Sequence, residues 1–386
     1  MEKELSINNF LEHYPSFGNQ EISGRYLSFE EIQNSLEDLK SNFTVIEIGR
    51  SFLNIPIQTI RLGSGNIKIL AWSQMHGNES TTTKALFDLF NLFRFKEDSE
   101  LIQNILKKCT ILVIPMLNPD GAARYTRENV NGVDLNRDAQ DQKEVESKVL
   151  RSCYEDFQPN FCFNLHDQRT IFSAGETKIP ATISFLTPSM DKDRSQTESR
   201  TESMQVIAAM NEVLQSFIPK QVGRYDDAFN INCTGDTFQS LNTPTILFEA
   251  GHFKDYLRED TRKYMALAIF KGFQSIGDRT YLNHKIEEYF NIPENQKNLY
   301  DVILRNAQND GKVVDIAIQF NEKIKGKRIH FEPIVQEISG NISKFGHREI
   351  DCANKEVKLP TGKFINENDI VATILLNDEQ LSIISQ

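Results

Sequence analysis

Two histidines and two glutamates stand where a hydrolytic metal centre would need them. His76-Gly77-Asn78-Glu79 sets an imidazole and a carboxylate three residues apart, and His166 supplies a second imidazole from a distant part of the chain. Two imidazoles and one carboxylate give a tetrahedral zinc ion three protein ligands and leave a fourth position for water, the pattern of a catalytic site, with one ion per chain. Taken alone, the first pair reads more readily as a surface pair at a helix start. Glu249 closes the apolar run Thr245-Ile246-Leu247-Phe248. An ionised carboxylate there is costly unless it faces a polar cavity or a cation, which makes it a candidate general base; capping of the Gly251 and His252 backbone explains it equally well. Between Pro119 and Asp138 a stretch without apolar periodicity carries Arg124, Arg127, Asn136 and Arg137. Arginine matches carboxylates as a planar fork and gives an oxyanion a fixed positive charge, although a solvated loop with a few salt bridges would look the same. Asp236 either lines a side-chain pocket that favours basic or amine-bearing residues or caps a helix or turn.

Each cluster follows an apolar, strand-like run. His76 and Glu79 come after Ile67 to Trp72, Asn118-Pro119-Asp120 after Ile111 to Met116, His166 after Phe161 to Leu165, and Glu249 after Thr245 to Phe248. Ligands of open α/β sheets bind at the carboxyl ends of the strands, so these motifs are expected to converge on one edge. Helical spacing around Thr83 to Phe93, Glu144 to Tyr154, Glu202 to Phe217 and Arg258 to Phe273 alternates with the runs, and Ser28-Phe29-Glu30-Glu31 has the spacing of a capping box before a helix to Leu39. Alternating Val45 to Ile60 reads as strands at one edge of the sheet. The fold class is therefore α/β, a mixed, largely parallel central sheet covered by helices over residues 1–286. Short β-prone pieces (Val313 to Phe320, Arg328 to Ile334, Ile370 to Leu376) predict a small β-rich domain over 287–386. The polar run from Asp191 to Glu202 predicts a mobile surface loop near the cleft.

The 386 residues suit one α/β enzyme domain and a smaller unit, and 39% hydrophobic content with 26 Phe supplies a packed core and excludes a disordered chain. A net charge of -11 with no basic face argues against nucleic acid as a partner. No apolar run is long enough to span a bilayer and the N-terminus lacks a signal-peptide pattern, so the expectation is no membrane and a cytoplasmic location. Five scattered cysteines without a CxxC form neither a disulfide framework nor a thiolate zinc site; Cys109 and Cys162 read as buried small hydrophobes. His13, His284, His330 and His347 have no ligand-spaced partners.

The ordered set of His76 and Glu79, Asn118-Pro119-Asp120-Gly121, Arg127, Gly132-Val133-Asp134-Leu135-Asn136-Arg137-Asp138, His166 and Glu249 resembles the zinc carboxypeptidases of the carboxypeptidase A type, over about residues 66 to 252. The resemblance implies zinc on His76, Glu79 and His166, a carbonyl polarised by Arg127, a substrate carboxylate gripped by Asn136 and Arg137, and proton transfer by Glu249. The family usually supplies a tyrosine upstream of the catalytic glutamate; Gly235 to Phe248 holds none, and Tyr225 is a substitute candidate. His76-Gly77-Asn78-Glu79 is also similar to the succinylglutamate desuccinylase and aspartoacylase family, which hydrolyses N-acyl amino acids, and His252 is a candidate proton-transfer or substrate contact. The implied partner is a short peptide, or else an acyl-amino acid, with a free carboxylate. A non-catalytic binder of peptide ends is the third class, and metal uptake separates it from the two enzymes.

Overall fold

In the computed structural model, residues 4–384 are described. The chain divides into two compact units, Met1–Arg169 with Ala181–Asn295, and Thr170–Pro180 with Gln296–Gln386. The first unit thus runs past residue 286, because the Arg224 amide donates to Pro293 O (2.9 Å) and ties the following residues to the sheet edge. Residues 170–180 fall with the second unit.

The first unit is built on an eight-stranded sheet. Its strands are β1 (Thr44–Arg50), β2 (Pro56–Leu62), β3 (Ile67–Ser73), β4 (Cys109–Ile114), β5 (Phe161–Asp167), β6 (Ile183–Leu186), β7 (Val222–Arg224) and β8 (Thr245–Ala250), in the order β1-β2-β4-β3-β5-β8-β6-β7. The central β4, β3, β5 and β8 run parallel; β1, β2 and β6 provide the antiparallel pairings. The mixed, largely parallel sheet read from the sequence is present, with β1 and β2 at one edge as expected.

A period of two sorts the central strands between two cores. Ile69 and Ala71 of β3, Phe161, Phe163 and Leu165 of β5, and Ile246, Phe248 and Ala250 of β8 join the large core on one face. There they meet α1 (Phe10–Phe17), α2 (Phe29–Leu39), α3 (Thr81–Phe95), α4 (Glu100–Lys108) and, later in the chain, the long helices Glu198–Gln215 and Glu259–Asp278. Leu70, Trp72 and Cys162 face the other side, against Leu135, Leu150 and Phe238. His166 and Glu249 have the parity of this second, smaller core and so leave the large one.

The polar opening of the chain hides α1, whose Phe10 and Phe17 are buried in the large core. The Ser28 capping box is present, the Ser28 amide donating to Glu31 (2.9 Å). The loop expected over 191–202 is shorter than read: Glu198 onward is helical, with Thr197 accepting from the Arg200 amide (3.3 Å). Arg200, buried inside that polar run, donates to Asp227 (2.5 Å) and to Arg194 O (2.7 Å). Ser and Thr there cap a helix, a role composition alone does not distinguish from a loop. Cys109 and Cys162 are buried strand residues.

The second unit carries β9 (Leu299–Asn309), β10 (Lys312–Lys325), β11 (Arg328–Ser339) and β12 (Phe345–Asp351) in the order β11-β10-β9-β12. A three-stranded sheet of Val357–Lys358, Thr373–Leu376 and Glu379–Ser382 accompanies it. Its own core includes Val302, Leu304, Ile316, Ile318, Val335, Val371 and Ile374. No helix among the described residues is long and apolar enough to cross a membrane.

Candidate metal centre

The turn that follows β3 is shaped by backbone geometry before any side chain acts. Gln74 takes a left-handed conformation (φ 48°) and redirects the chain, and the Glu79 amide closes the turn on His76 O (3.1 Å). A Cβ on Gly77 would lie 2.0 Å from the carbonyl carbon of Gly121, so only glycine lets the turn rest against α5 (Pro119–Arg124). Asn118 caps α5 by accepting from the Gly121 amide (2.8 Å) and donates to Met75 O (3.1 Å). The Asn-Pro-Asp-Gly motif therefore supports the turn from below.

His76, Glu79 and His166 are buried together, with one ligand atom of each within 4.8 Å of the others. His76 Nδ1 lies 2.9 Å from Glu79 Oε1, His166 Nδ1 2.9 Å from Glu79 Oε2, and the two Nδ1 atoms are 3.1 Å apart. A tetrahedral ion with bonds of about 2.0–2.2 Å separates its ligand atoms by roughly 3.3 Å, so this set fits zinc closely. His76 Nε2 meets Asp134 Oδ1 at 3.0 Å, which fixes the tautomer that turns Nδ1 inward. His166 Nε2 is buried with no hydrogen-bond partner among the described residues. Burial opposes ionisation of Glu79, yet His76 and His166 outweigh it and hold the carboxyl well below its ordinary value. The cluster is ready to bind a cation as a carboxylate with two inward nitrogens.

Glu249 stands level with His166 on the neighbouring strand β8. Its Oε2 is buried without a hydrogen-bond partner among the described residues, and burial followed by the Glu79 and Asp167 carboxylates pushes its carboxyl well above the usual range. The Gly251 amide donates to Thr182 O (2.8 Å), so capping of that amide does not account for Glu249. The cationic groups that act on it are Arg127 and Arg258, which favour the carboxylate against burial and the neighbouring acids.

Arg127 reaches the same place: its guanidinium lies 3.4 Å from Glu79 Oε1 and 3.1 Å from Asp134 Oδ2. Tyr225 follows β7, its amide bonded to Phe185 O (3.0 Å) and its hydroxyl to Asn295; burial, then Glu249 and Glu79, raise its pKa. Tyr225 thus faces the acidic centre. Asn136 is buried and accepts from the Thr234 amide (2.9 Å), while the exposed Arg137 donates to Asn136 O (2.7 Å) and Cys233 Sγ (3.1 Å). Asp236 sits in the first turn of the short helix Thr234–Ser240; burial lifts its carboxyl to about 6, against a lowering contribution from Arg137. His252 is buried against the Tyr256 ring (centroids 4.5 Å) and its carbonyl accepts from Thr182.

Two residues that serve the centre have no role in the sequence reading. Asp134 is visible there only as part of a motif; its pairing with His76 depends on a fold that brings the arginine loop beneath the β3 turn. Asp167 follows His166 directly, and its carboxylate accepts from the Thr81 and Thr82 amides (2.8 and 3.3 Å) at the start of α3 while its own amide donates to Glu79 Oε2 (3.2 Å). Its position directly after a candidate ligand is the one signal the sequence holds for it; its place at the start of α3 comes from the fold.

Residues 30–204 match the zinc carboxypeptidase family model. Carboxypeptidase SOL1 of Arabidopsis thaliana is 29% identical over 134 residues, covering 32% of this chain and 27% of that protein. The chain thus spans about a quarter of the length of that curated relative. A metallo-carboxypeptidase from Burkholderia cenocepacia superposes with a TM-score of 0.54 at 17% identity over 66% of this chain and 70% of that one. A metallo-carboxypeptidase from Pseudomonas aeruginosa gives 0.53 at 16% over 66% and 70%. The resemblance and the fold class expected from the motifs are both borne out: residues 30–204 match the zinc carboxypeptidase family model, and the superposed structures share the fold. The matched span contains His76, Glu79, Arg127, Asn136, Arg137 and His166 and ends before Tyr225, Asp236, Glu249 and His252.

Proposed function

We propose that the protein is a zinc metallocarboxypeptidase that hydrolyses the C-terminal amide bond of short peptides by attack of water, without an acyl-enzyme. The observation that carries this reading is the level placement of Glu249 beside His166, one strand away from a buried His-Glu-His set whose spacing fits zinc. When bound by His76, Glu79 and His166, zinc supplies a Lewis acid that polarises a carbonyl and activates water. Glu249 takes the proton of the attacking water and passes it to the leaving amine, a role its place level with His166 on the neighbouring strand supports. Arg127 offers positive charge to the carbonyl oxygen as it becomes an oxyanion. Arg137, exposed and with Asn136 beside it, receives the substrate's terminal carboxylate, and Tyr225 closes the acidic side of the cleft. Asp236, next to Arg137, biases the side-chain pocket toward basic residues, and His252 holds the loop behind Glu249.

Short peptides with free and with amidated C-termini, assayed beside N-acyl amino acids, test the proposal. Free-acid peptides are expected to be cleaved with a kcat/KM about 10–100-fold above the amides, the loss expected when a charged hydrogen bond is left unmade. Turnover confined to N-acyl amino acids would move the protein to the acylase class, and cleavage of amidated peptides at equal rates would remove the carboxylate clamp.

A further inference from the structure

Residues 19–27 precede the span that matches the family model, yet they lie against both ends of the His76–Glu79 turn. Gln74, two residues before His76, donates through Nε2 to Leu27 O (2.7 Å) and to Gly77 O (2.9 Å), so one side chain joins the N-terminal segment to the inside of the ligand turn. Ser80, directly after Glu79, donates to Arg25 O (2.7 Å). Tyr26 OH donates to Ala123 O (3.1 Å) in α5, the helix beneath the turn. Gln74, Ser80, Arg25 and Leu27 are all buried.

The far end of the segment is clamped by charge. Arg262 donates to Asn19 O (2.8 Å) and Ile22 O (2.6 Å) while paired with Asp88, and Asp88 also accepts from Tyr14 OH (2.6 Å) and the Asn19 amide (2.7 Å). Buried Lys84 donates to Gly24 O (2.6 Å) and pairs with Glu259, which accepts from the Gly24 amide (2.8 Å). A stretch without helix or strand of its own is thereby held rigidly along its length.

We infer that this segment is a positioning strap for the metal site, fixing the His76–Glu79 turn through Gln74 and Ser80. The inference rests on the zinc reading above. The turn's two flanking donors find acceptors in the strap backbone; without it, one Gln74 N–H and the Ser80 hydroxyl would lose their buried acceptors, and the turn would relax to relieve them. Ligands tolerate little relaxation, because a metal site depends on the groups that orient its first shell.

The test uses the whole chain with Gln74→Ala, Ser80→Ala and the double substitution, and Tyr14→Phe as a control that loosens only the far clamp. Zinc affinity is measured by competition with a chelator, thermal unfolding is followed on the zinc-free proteins, and the visible spectrum of the cobalt(II) form reports ligand geometry. The expected result is a loss of about 10–100-fold in zinc affinity for the double variant with an altered cobalt spectrum, while Tyr14→Phe lowers the melting temperature and keeps both wild-type values. Unchanged affinity and spectrum in a double variant that melts lower would reduce the strap to a cover and overturn the inference. An equal loss in Tyr14→Phe would overturn it too. Wild-type protein that takes up no zinc overturns the metal reading and this inference with it.

Discussion

The two halves of the candidate site are held in different ways. The metal half is buried and bonded to itself: His76 to Asp134, Glu79 to both imidazoles and the Asp167 amide, Asp167 to the start of α3. The substrate half is open, with Arg137 exposed and hydrogen-bonded to a backbone carbonyl and the Cys233 sulfur. Metal ligands must be oriented before the ion arrives, whereas groups that meet a substrate must keep hydrogen-bonding capacity in reserve. Substitutions in the first half should therefore alter metal affinity or kcat, and those in the second should alter KM.

The sharpest way to break that comparison is Glu249→Gln. It keeps shape and removes the base, so kcat should fall by about 10²–10⁴-fold with zinc retained; a kcat within a factor of a few of wild type would reassign the proton transfer. Arg127→Ala comes next, with an expected drop of roughly 10²–10³-fold in kcat and little change in KM if it serves the oxyanion. A rise in KM at constant kcat would move Arg127 into the substrate half. Asp134→Asn should weaken zinc binding by about 10–100-fold, measured by chelator competition, through loss of the charge behind His76. In the substrate half, Arg137→Ala should raise KM for free-acid peptides by about 10–100-fold at nearly constant kcat, as expected for a charged hydrogen bond worth ~1.5–3 kcal/mol.

A further expected effect, on stability rather than turnover, concerns pH. Burial raises the Asp236 carboxyl to about 6 from an unfolded value near 3.8, so the folded state holds the proton more tightly. Its stability contribution is full below the unfolded value and is lost as pH rises through about 6. Asp236→Asn should therefore gain stability relative to wild type between about pH 4 and pH 6.5, by about 1–3 kcal/mol, read from urea unfolding at each pH. A difference that does not vary with pH would place Asp236 in a wetter setting than the substrate half now assigns it.

The same division explains how much of the molecule was legible in its sequence. Metal-half residues sit at strand ends, where apolar runs such as Thr245 to Phe248 make an intruding carboxylate conspicuous and where sheet topology forces convergence. The central strands, α2 and the β-rich end of the chain were legible for the same reason, a clear period of two or of 3.6. What escaped was fixed by contacts distant in sequence. Asp134 and Asp167 acquire roles only when loops from different strands meet. Residues 19–27 have no periodicity because backbone carbonyls, which every sequence possesses, make most of their bonds. The short strands Ile183–Leu186 and Val222–Arg224 are set by their neighbours in the sheet and carry little pattern of their own. Thr197 and Arg200 read as loop because capping residues and loop residues share a composition.

The central claim is that His76, Glu79 and His166 form a zinc site served by Glu249. Metal content after dialysis, measured together on wild type, Glu249→Gln and His166→Ala, tests it most directly. One zinc per chain in the first two and a drop of several orders of magnitude in affinity in the third is the predicted outcome. Zinc bound equally by His166→Ala, or by none of the three when it is supplied in excess, would contradict it.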